Sequence, residues 1–161
     1  MADGVLWLFV VNLGLACGAG LYEARVAVPL WFTPAAGGES RWDAGAARRA
    51  DVGRRFWVHL TTLPLTALTL ASLTLAWRMP PPVRAWWLGA AVAALVDRGL
   101  TFAYFLPVMV RLMDVEKGEA PGATARARRW ARLGHLRQVM TLTAWLAALV
   151  ALYRLGGIPP R

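Results

Sequence analysis

The chain has 161 residues, of which 58% are apolar and 17% are charged, and its formal net charge at pH 7 is +9. This balance is typical of a single membrane-embedded domain and argues against a soluble chain. The positive charge then indicates anionic lipid headgroups as a partner, rather than nucleic acid. The single cysteine, Cys17, excludes an intramolecular disulfide and a CxxC redox pair.

Four apolar runs follow one another along the chain, at about residues 5–32, 56–77, 86–110 and 136–155. About 20 apolar residues in a helix cross the hydrocarbon layer of a bilayer. Backbone polar groups in hydrocarbon must be paired within their own segment, so each run is predicted to be a helix. The predicted fold is therefore all-α, an integral membrane four-helix up-and-down bundle that forms a single domain over residues 1–161.

Two loops, 33–55 and 111–135, separate these runs on one face and are rich in arginine. Twelve of the 18 Lys and Arg residues belong to this face, including Arg137 at the start of the fourth run, and four belong to the opposite face. The excess predicts that the two loops are cytoplasmic and that both termini lie on the outer face. Segments 42–55 and 124–137 have helix-forming composition and predict a surface helix and an extension of the fourth helix.

Each run also carries ionisable side chains, which are costly in lipid and usually face the interior of a bundle. Chain direction brings Glu23, His59, Asp97 and His135 towards the same end of the bundle. We expect these four to be the catalytic groups of a polar pocket that opens to the cytoplasm. Further polar residues on these helices form stripes at helical spacing or adjoin the four, and we expect them to bind substrate. They are Thr62, Arg98, Tyr104, Arg111, Arg137 and Gln138.

Three chemistries are open to this set of residues. Two histidines and two carboxylates suit iron, manganese or zinc, although the Glu-x-x-His spacing of di-iron bundles is missing and we assign no residue as a metal ligand. The residues could instead act as a general base and acid on a lipophilic substrate. His59 and His135 could also hold a haem, and the cofactor therefore stays open.

A non-catalytic protein is the alternative to an enzyme. In a transporter subunit or an assembly partner, buried ion pairs would only fix the packing of the helices. Gly14 and Gly18 have the GxxxG spacing of close helix contacts, which is compatible with a homo-oligomer. The residues alone leave both classes of protein open.

Four short stretches carry a family resemblance: 20–26 (GLYEARV), 29–31 (PLW), 101–107 (TFAYFLP) and 133–137 (LGHLR). They resemble the small bacterial four-helix membrane proteins of the anthrone-oxygenase-like superfamily. The resemblance implies a bacterial inner-membrane oxidoreductase that uses oxygen to oxidise a small lipophilic or aromatic substrate, without an obvious cofactor motif. It also implies that a histidine or carboxylate removes an acidic proton. Arg98 or Arg111 would then steady the anion, which reacts with oxygen.

Overall fold

The computed structural model describes residues 2–35, 38–49, 57–114 and 122–157. Within them, four helical segments are long and apolar enough to cross a membrane, and we name them the first to fourth spans. They are Ala2–Trp31, Trp57–Ala76, Pro81–Met113 and Ala123–Gly156. Their length and composition indicate an all-α, multi-pass membrane protein.

The spans are built from shorter elements. The first span contains α1 (Ala2–Tyr22), a π turn (Glu23–Ala27) and a 3-10 turn (Val28–Trp31). A hairpin of β1 (Phe32–Pro34) and β2 (Ser40–Trp42) follows, and then α2 (Ala44–Arg49). The second span contains a π turn (Trp57–Thr62) and α3 (Leu63–Ala76). The third contains α4 (Pro81–Leu100), a π turn (Thr101–Phe105) and α5 (Leu106–Met113). The fourth is the single helix α6 (Ala123–Gly156).

The third span begins earlier than predicted, whereas the predicted extension of the fourth helix is confirmed. The third span begins at Pro81 rather than near residue 86, because proline lacks the N–H that the first helical turn leaves unpaired. The fourth span begins at Ala123, so the predicted extension over 124–137 is continuous with the membrane helix. Gly122 precedes it with a φ of 82°, which glycine adopts without strain. At 1.5 Å per residue the resulting helix is about 51 Å long.

The predicted surface helix over 42–55 begins two residues later in the structure, at Ala44. Trp42 belongs to β2, because the 40–42 segment pairs with β1 in an antiparallel hairpin. The helix itself is α2, of six residues, and it begins where the Asp43 carboxylate accepts a hydrogen bond of 2.8 Å from the Ala46 N–H. Residues 50–55 lie outside the described residues.

Each span packs against its neighbours in the chain, and the first span also packs against the fourth. Among the described residues, buried apolar side chains form one core near the start of the first span, which includes Leu6, Phe9 and Trp87. A second core, the aromatic cluster, includes Val28, Trp31, Trp42, Phe105 and Trp130. In the first, third and fourth spans, the polar residues described below lie in sequence between these two cores.

The aromatic cluster fixes the hairpin and α2 against the third and fourth spans. The rings of Trp31 and Trp42 meet edge to face, with their centroids 6.1 Å apart. The Trp42 indole donates a hydrogen bond of 3.2 Å to the Leu112 carbonyl, and the Trp130 indole donates one of 3.2 Å to the Phe105 carbonyl. We call this part of the molecule the basic end. It carries exposed arginines at positions 41, 48, 49, 128, 129 and 132.

Candidate functional site

A buried charge network joins the third span to the fourth. Asp97 is 2% exposed and Arg98 is 6% exposed, and their side chains form an ion pair. Arg137 of the fourth span reaches the same carboxylate, with its Nε 3.4 Å from Asp97 Oδ1. The Arg137 guanidinium also lies over the Phe105 ring, 4.8 Å from its centroid. Buried charges in lipid require such pairing, so the network couples the positions of the two helices.

Glu23 extends the network to the first and second spans. Its carboxylate lies within electrostatic reach of Arg137, which is thus attracted by Asp97 and by Glu23. The Trp57 indole of the second span donates a hydrogen bond to the Glu23 carboxylate. Two carboxylates and two guanidiniums therefore balance one another at one level of the bundle, and all four spans contribute to this site.

Close approach of the first and fourth spans depends on Gly20. A Cβ atom at that position would lie 1.8 Å from Nε2 of Gln138, so the amide of Gln138 occupies the space that any other residue would fill. Gln138 Oε1 is buried and has no hydrogen-bond partner among the residues that the structure describes. The Gln138 amide is thereby held beside Glu23, one turn of helix away from Gly20.

A groove of about 1070 Å³ runs along the first span. Its volume is at the upper end of the range typical for pockets that bind small molecules. Its apolar lining includes the exposed side chains of Leu15, Tyr22 and Leu30, so the groove opens towards lipid. Among the described residues that line it, Glu23 is the only charged one. The full lining is Val10, Val11, Gly14, Leu15, Gly18, Ala19, Tyr22, Glu23, Ala27, Leu30, Trp31, Trp57 and Trp145.

Three π turns surround this site, and each belongs to a different span. One starts at Glu23, one contains His59, and one starts at Thr101, three residues after Arg98. A π turn adds about one residue to a helical turn and is common at functional sites. It also rotates the residues on either side relative to one another. This rotation decides which of the predicted polar residues face the interior.

Only some of the predicted catalytic and substrate-binding residues lie at this site. Glu23, Asp97, Arg98, Arg137 and Gln138 come together as described. His135 is exposed, and it lines a small cavity that Glu23 also lines.

Other members of the predicted set lie elsewhere. We expected His59 and Arg111 to face the pocket, but both are exposed, and neither lines the groove or the small cavity. Tyr104 is half-buried, and its ring packs edge to face on Phe105 with the centroids 5.2 Å apart. The π turns in the second and third spans explain this departure, because the regular helical spacing that we assumed does not hold there.

Thr62, the predicted substrate-binding residue of the second span, belongs to a row of threonines that is rotated relative to the prediction. Thr61 and Thr69 are buried, whereas Thr62 is half-buried. The Thr61 hydroxyl donates to the Trp57 carbonyl at 2.9 Å, and the Thr66 hydroxyl donates to the Thr62 carbonyl at 2.6 Å. These hydroxyls bond back to their own helix, as threonine commonly does in helices, so this row of threonines does not form a polar wall of the groove.

The placement of the histidines and carboxylates also bears on metal and haem binding. Among the described residues, no three His, Cys, Asp or Glu side chains come together as a metal site. Asp97 is enclosed by two guanidiniums, and Glu23 binds the Trp57 indole. His135 lines the small cavity, and His59 lines neither that cavity nor the groove.

Several residues of the groove carry signals that the sequence analysis did not connect with a site. Gly14 and Gly18 match a helix-dimer spacing, yet a Cβ at Gly14 would lie 3.2 Å from the Trp145 ring within the same chain. Gly18 faces open space in the groove. Tryptophans near the ends of membrane helices commonly lie at the membrane interface, but Trp31 and Trp57 line the groove.

Comparison of the chain with family models, with curated proteins and with solved structures gives no match. The resemblance to anthrone-oxygenase-like proteins therefore stays a prediction. The functional argument rests on the site itself.

Proposed function

We propose that the four spans form an up-and-down bundle in the bacterial inner membrane, with the basic end in the cytoplasm. Two observations support this arrangement. Spans that are consecutive in the chain pack together, and the first span closes on the fourth. Exposed arginines concentrate at one end, where anionic headgroups and the positive-inside rule favour them.

The function proposed for this bundle is to bind a small lipophilic molecule from the bilayer and to remove a proton from it at Glu23. The observation that carries the proposal is the groove of about 1070 Å³ in which Glu23 is the only charged residue among the described lining residues. An apolar ligand body would lie along α1 and displace lipid, which needs no aqueous path. Its acidic group would then meet the carboxylate, because no other described lining residue carries charge.

Trp57 and Arg137 prepare Glu23 for this role. The Trp57 indole holds the carboxylate by a hydrogen bond at the wall of the groove, and Arg137 attracts it from the side of the fourth span. A carboxylate that is positioned in this way can act as a general base on a bound molecule. After proton transfer, the ligand anion stays in the groove. The positive charge of Arg137, which lies beyond the Glu23 side chain, would stabilise this anion.

The finer proposal is an oxygenase for an aromatic carbon acid, and it draws on the family resemblance. Glu23 takes a proton from a CH₂ group between aromatic rings, and the resulting carbanion gives electrons to dioxygen. A hydroperoxide forms, and loss of water leaves a carbonyl. The CH₂ group and one O₂ molecule thus become a C=O group and one H₂O molecule. An apolar groove suits this reaction because it excludes bulk water from the anion.

A structural role is proposed for Asp97 and Arg98. For these two residues we keep the alternative hypothesis that buried ion pairs only fix the packing of the helices. Both side chains are buried, and neither lines the groove. They hold Arg137 through the Asp97 carboxylate and so fix the register of the third and fourth spans. The catalytic part of the predicted set is thereby reduced to Glu23, with Arg137 as its positioning partner.

Binding is tested with anthrone as the probe and tryptophan fluorescence as the signal, since Trp31, Trp57 and Trp145 line the groove. Gly18→Leu places an isobutyl group in the open space of the groove. We expect it to weaken binding by about tenfold or more, which corresponds to about 1.4 kcal/mol. Gly89→Leu is the matched control, because that exposed glycine of the third span also has open space around it but does not line the groove. Equal affinity in both variants would refute the groove as the binding site.

Turnover is tested by oxygen uptake and by formation of anthraquinone. Glu23→Gln keeps the shape of the side chain but cannot accept the proton, so we expect the rate to fall by about 10²- to 10⁴-fold. Glu39→Gln in the exposed hairpin loop is the control for loss of one carboxylate. If anthrone binds but Glu23→Gln oxidises it as fast as the native protein, Glu23 is not the base.

A further inference from the structure

A second, much smaller cavity shares only Glu23 with the groove among their described lining residues. Its volume is about 40 Å³, and it is formed between the first and fourth spans, with Phe105 contributed by the third. The polar residues in its lining are Glu23, His135, Arg137 and Gln138. Glu23 also lines the groove, so this carboxylate is common to both spaces.

The size and chemistry of this cavity suit water. A water molecule takes up about 30 Å³ in the liquid, so the cavity has room for one or two. Buried waters typically bond to polar groups that would otherwise be left unpaired. Gln138 Oε1 is such an acceptor among the described residues, the Glu23 carboxylate is a second acceptor, and Arg137 supplies donors.

Two features connect the cavity with the basic end. His135 is exposed on the fourth span, three residues beyond the exposed Arg132 of the basic end, and it also lines the cavity. Imidazole groups accept and release protons near neutral pH. Gly134 leaves the cavity open, because a Cβ at that position would meet no atom within 4 Å.

From this placement, the geometry points to a proton path from Glu23 to His135 through water bound in the small cavity. The inference rests on the proposed role of Glu23 as the base. A proton that Glu23 takes from a ligand passes to the water, which gives one of its own protons to the imidazole. His135 then releases a proton to solvent at the basic end. Glu23 returns to the carboxylate form, and the peroxide anion formed from the ligand later takes one proton back from solvent by the same path, so the oxidation releases no net proton.

This path solves a problem that a base in an apolar groove creates. A protonated Glu23 that faced only the groove could return its proton only to the bound anion, because the hydrocarbon chains of lipid carry no proton acceptor. The water cavity gives it a second acceptor outside the groove. Deprotonation of the ligand is then separated in space from release of the proton.

The test follows Glu23 itself and uses no ligand. A caged acid releases protons in a flash, and time-resolved infrared spectroscopy follows the carboxyl band that Glu23→Gln removes. His135→Ala is expected to slow protonation of Glu23 by about 100-fold. Gly134→Leu fills the cavity and is expected to slow it at least as much. Imidazole added to the buffer is expected to restore the rate in His135→Ala and not in Gly134→Leu.

Gly89→Leu is the control for an added leucine, and its rate is expected to equal that of the native protein. His135 is exposed, so its alanine variant keeps the test valid even if Gly134→Leu fails to fold. Equal rates in the native protein and in His135→Ala would overturn the inference, and so would a native Glu23 that does not respond to the acid pulse. The anthrone experiments can fail independently of this one, since they concern the groove.

Discussion

The buried ion pair makes a strong prediction about stability. Asp97→Asn keeps the size of the side chain but removes its charge, and Asp97 is 2% exposed. The guanidiniums of Arg98 and Arg137 would then face each other without the carboxylate that both contact. Loss of one partner of a buried pair typically costs about 3–5 kcal/mol of the free energy of unfolding. The unfolding equilibrium constant should therefore rise by about two to four orders of magnitude.

Unfolding in mixed micelles of dodecyl maltoside and SDS, followed by circular dichroism, measures this change. Asp114→Asn is the control, because that exposed carboxylate lies at the end of the same span. Adding Arg98→Gln to Asp97→Asn removes both charges of the pair, and we expect it to recover about 1–3 kcal/mol. A loss below about 1 kcal/mol in Asp97→Asn, the value typical of exposed ion pairs, would refute the buried network.

Three further predictions concern the groove, the basic end and the predicted histidine. Gly14→Val should push the Trp145 ring aside, since a Cβ already lies 3.2 Å from it, and thermal unfolding should show a loss of about 1–3 kcal/mol. Trp42→Phe leaves the buried Leu112 carbonyl without its indole donor, and the same assay should show a loss of about 1–3 kcal/mol. His59→Ala should leave anthrone affinity unchanged by fluorescence titration, because His59 lines neither the groove nor the small cavity.

The sequence predicted the parts of the structure that depend on hydropathy and charge. Long apolar runs specify the four spans, since the hydrocarbon thickness sets their length. Chain direction predicted that Glu23, His59, Asp97 and His135 come towards one end of the bundle, and in the structure Glu23 and Asp97 share Arg137 as a charge partner. Ionisable residues in apolar helices have few other stable positions, so this part of the candidate site was predictable.

Helix rotation was not predictable, and it decides the rest of the site. A π turn shifts the phase of a helix without a clear sequence signal, and three spans contain one beside the site. Thr61 is therefore buried where regular spacing favours Thr62, and His59 and Arg111 are exposed. The hairpin over 32–42 was missed because its strands have three residues each, too few to show alternation.

The groove was missed for a different reason. A groove is the space between side chains of several spans, and here it depends on the absence of side chains at Gly14 and Gly18. Glycines in an apolar helix have several uses, including helix contacts, and spacing alone does not distinguish them. The functional meaning of Trp31 and Trp57 likewise depends on their position across from these glycines.

The most direct test of the central proposal is photoaffinity labelling in lipid vesicles with a naphthol that carries a diazirine. The proposal predicts labels on Leu15, Tyr22 and Leu30 of the groove, which excess naphthol suppresses and Gly18→Leu abolishes. Val92 and Val96 of the third span are similarly apolar and exposed but lie outside the groove, and we expect little label there. Labelling spread over all exposed apolar residues in proportion to their exposure, with no competition by naphthol, would contradict a ligand site at Glu23.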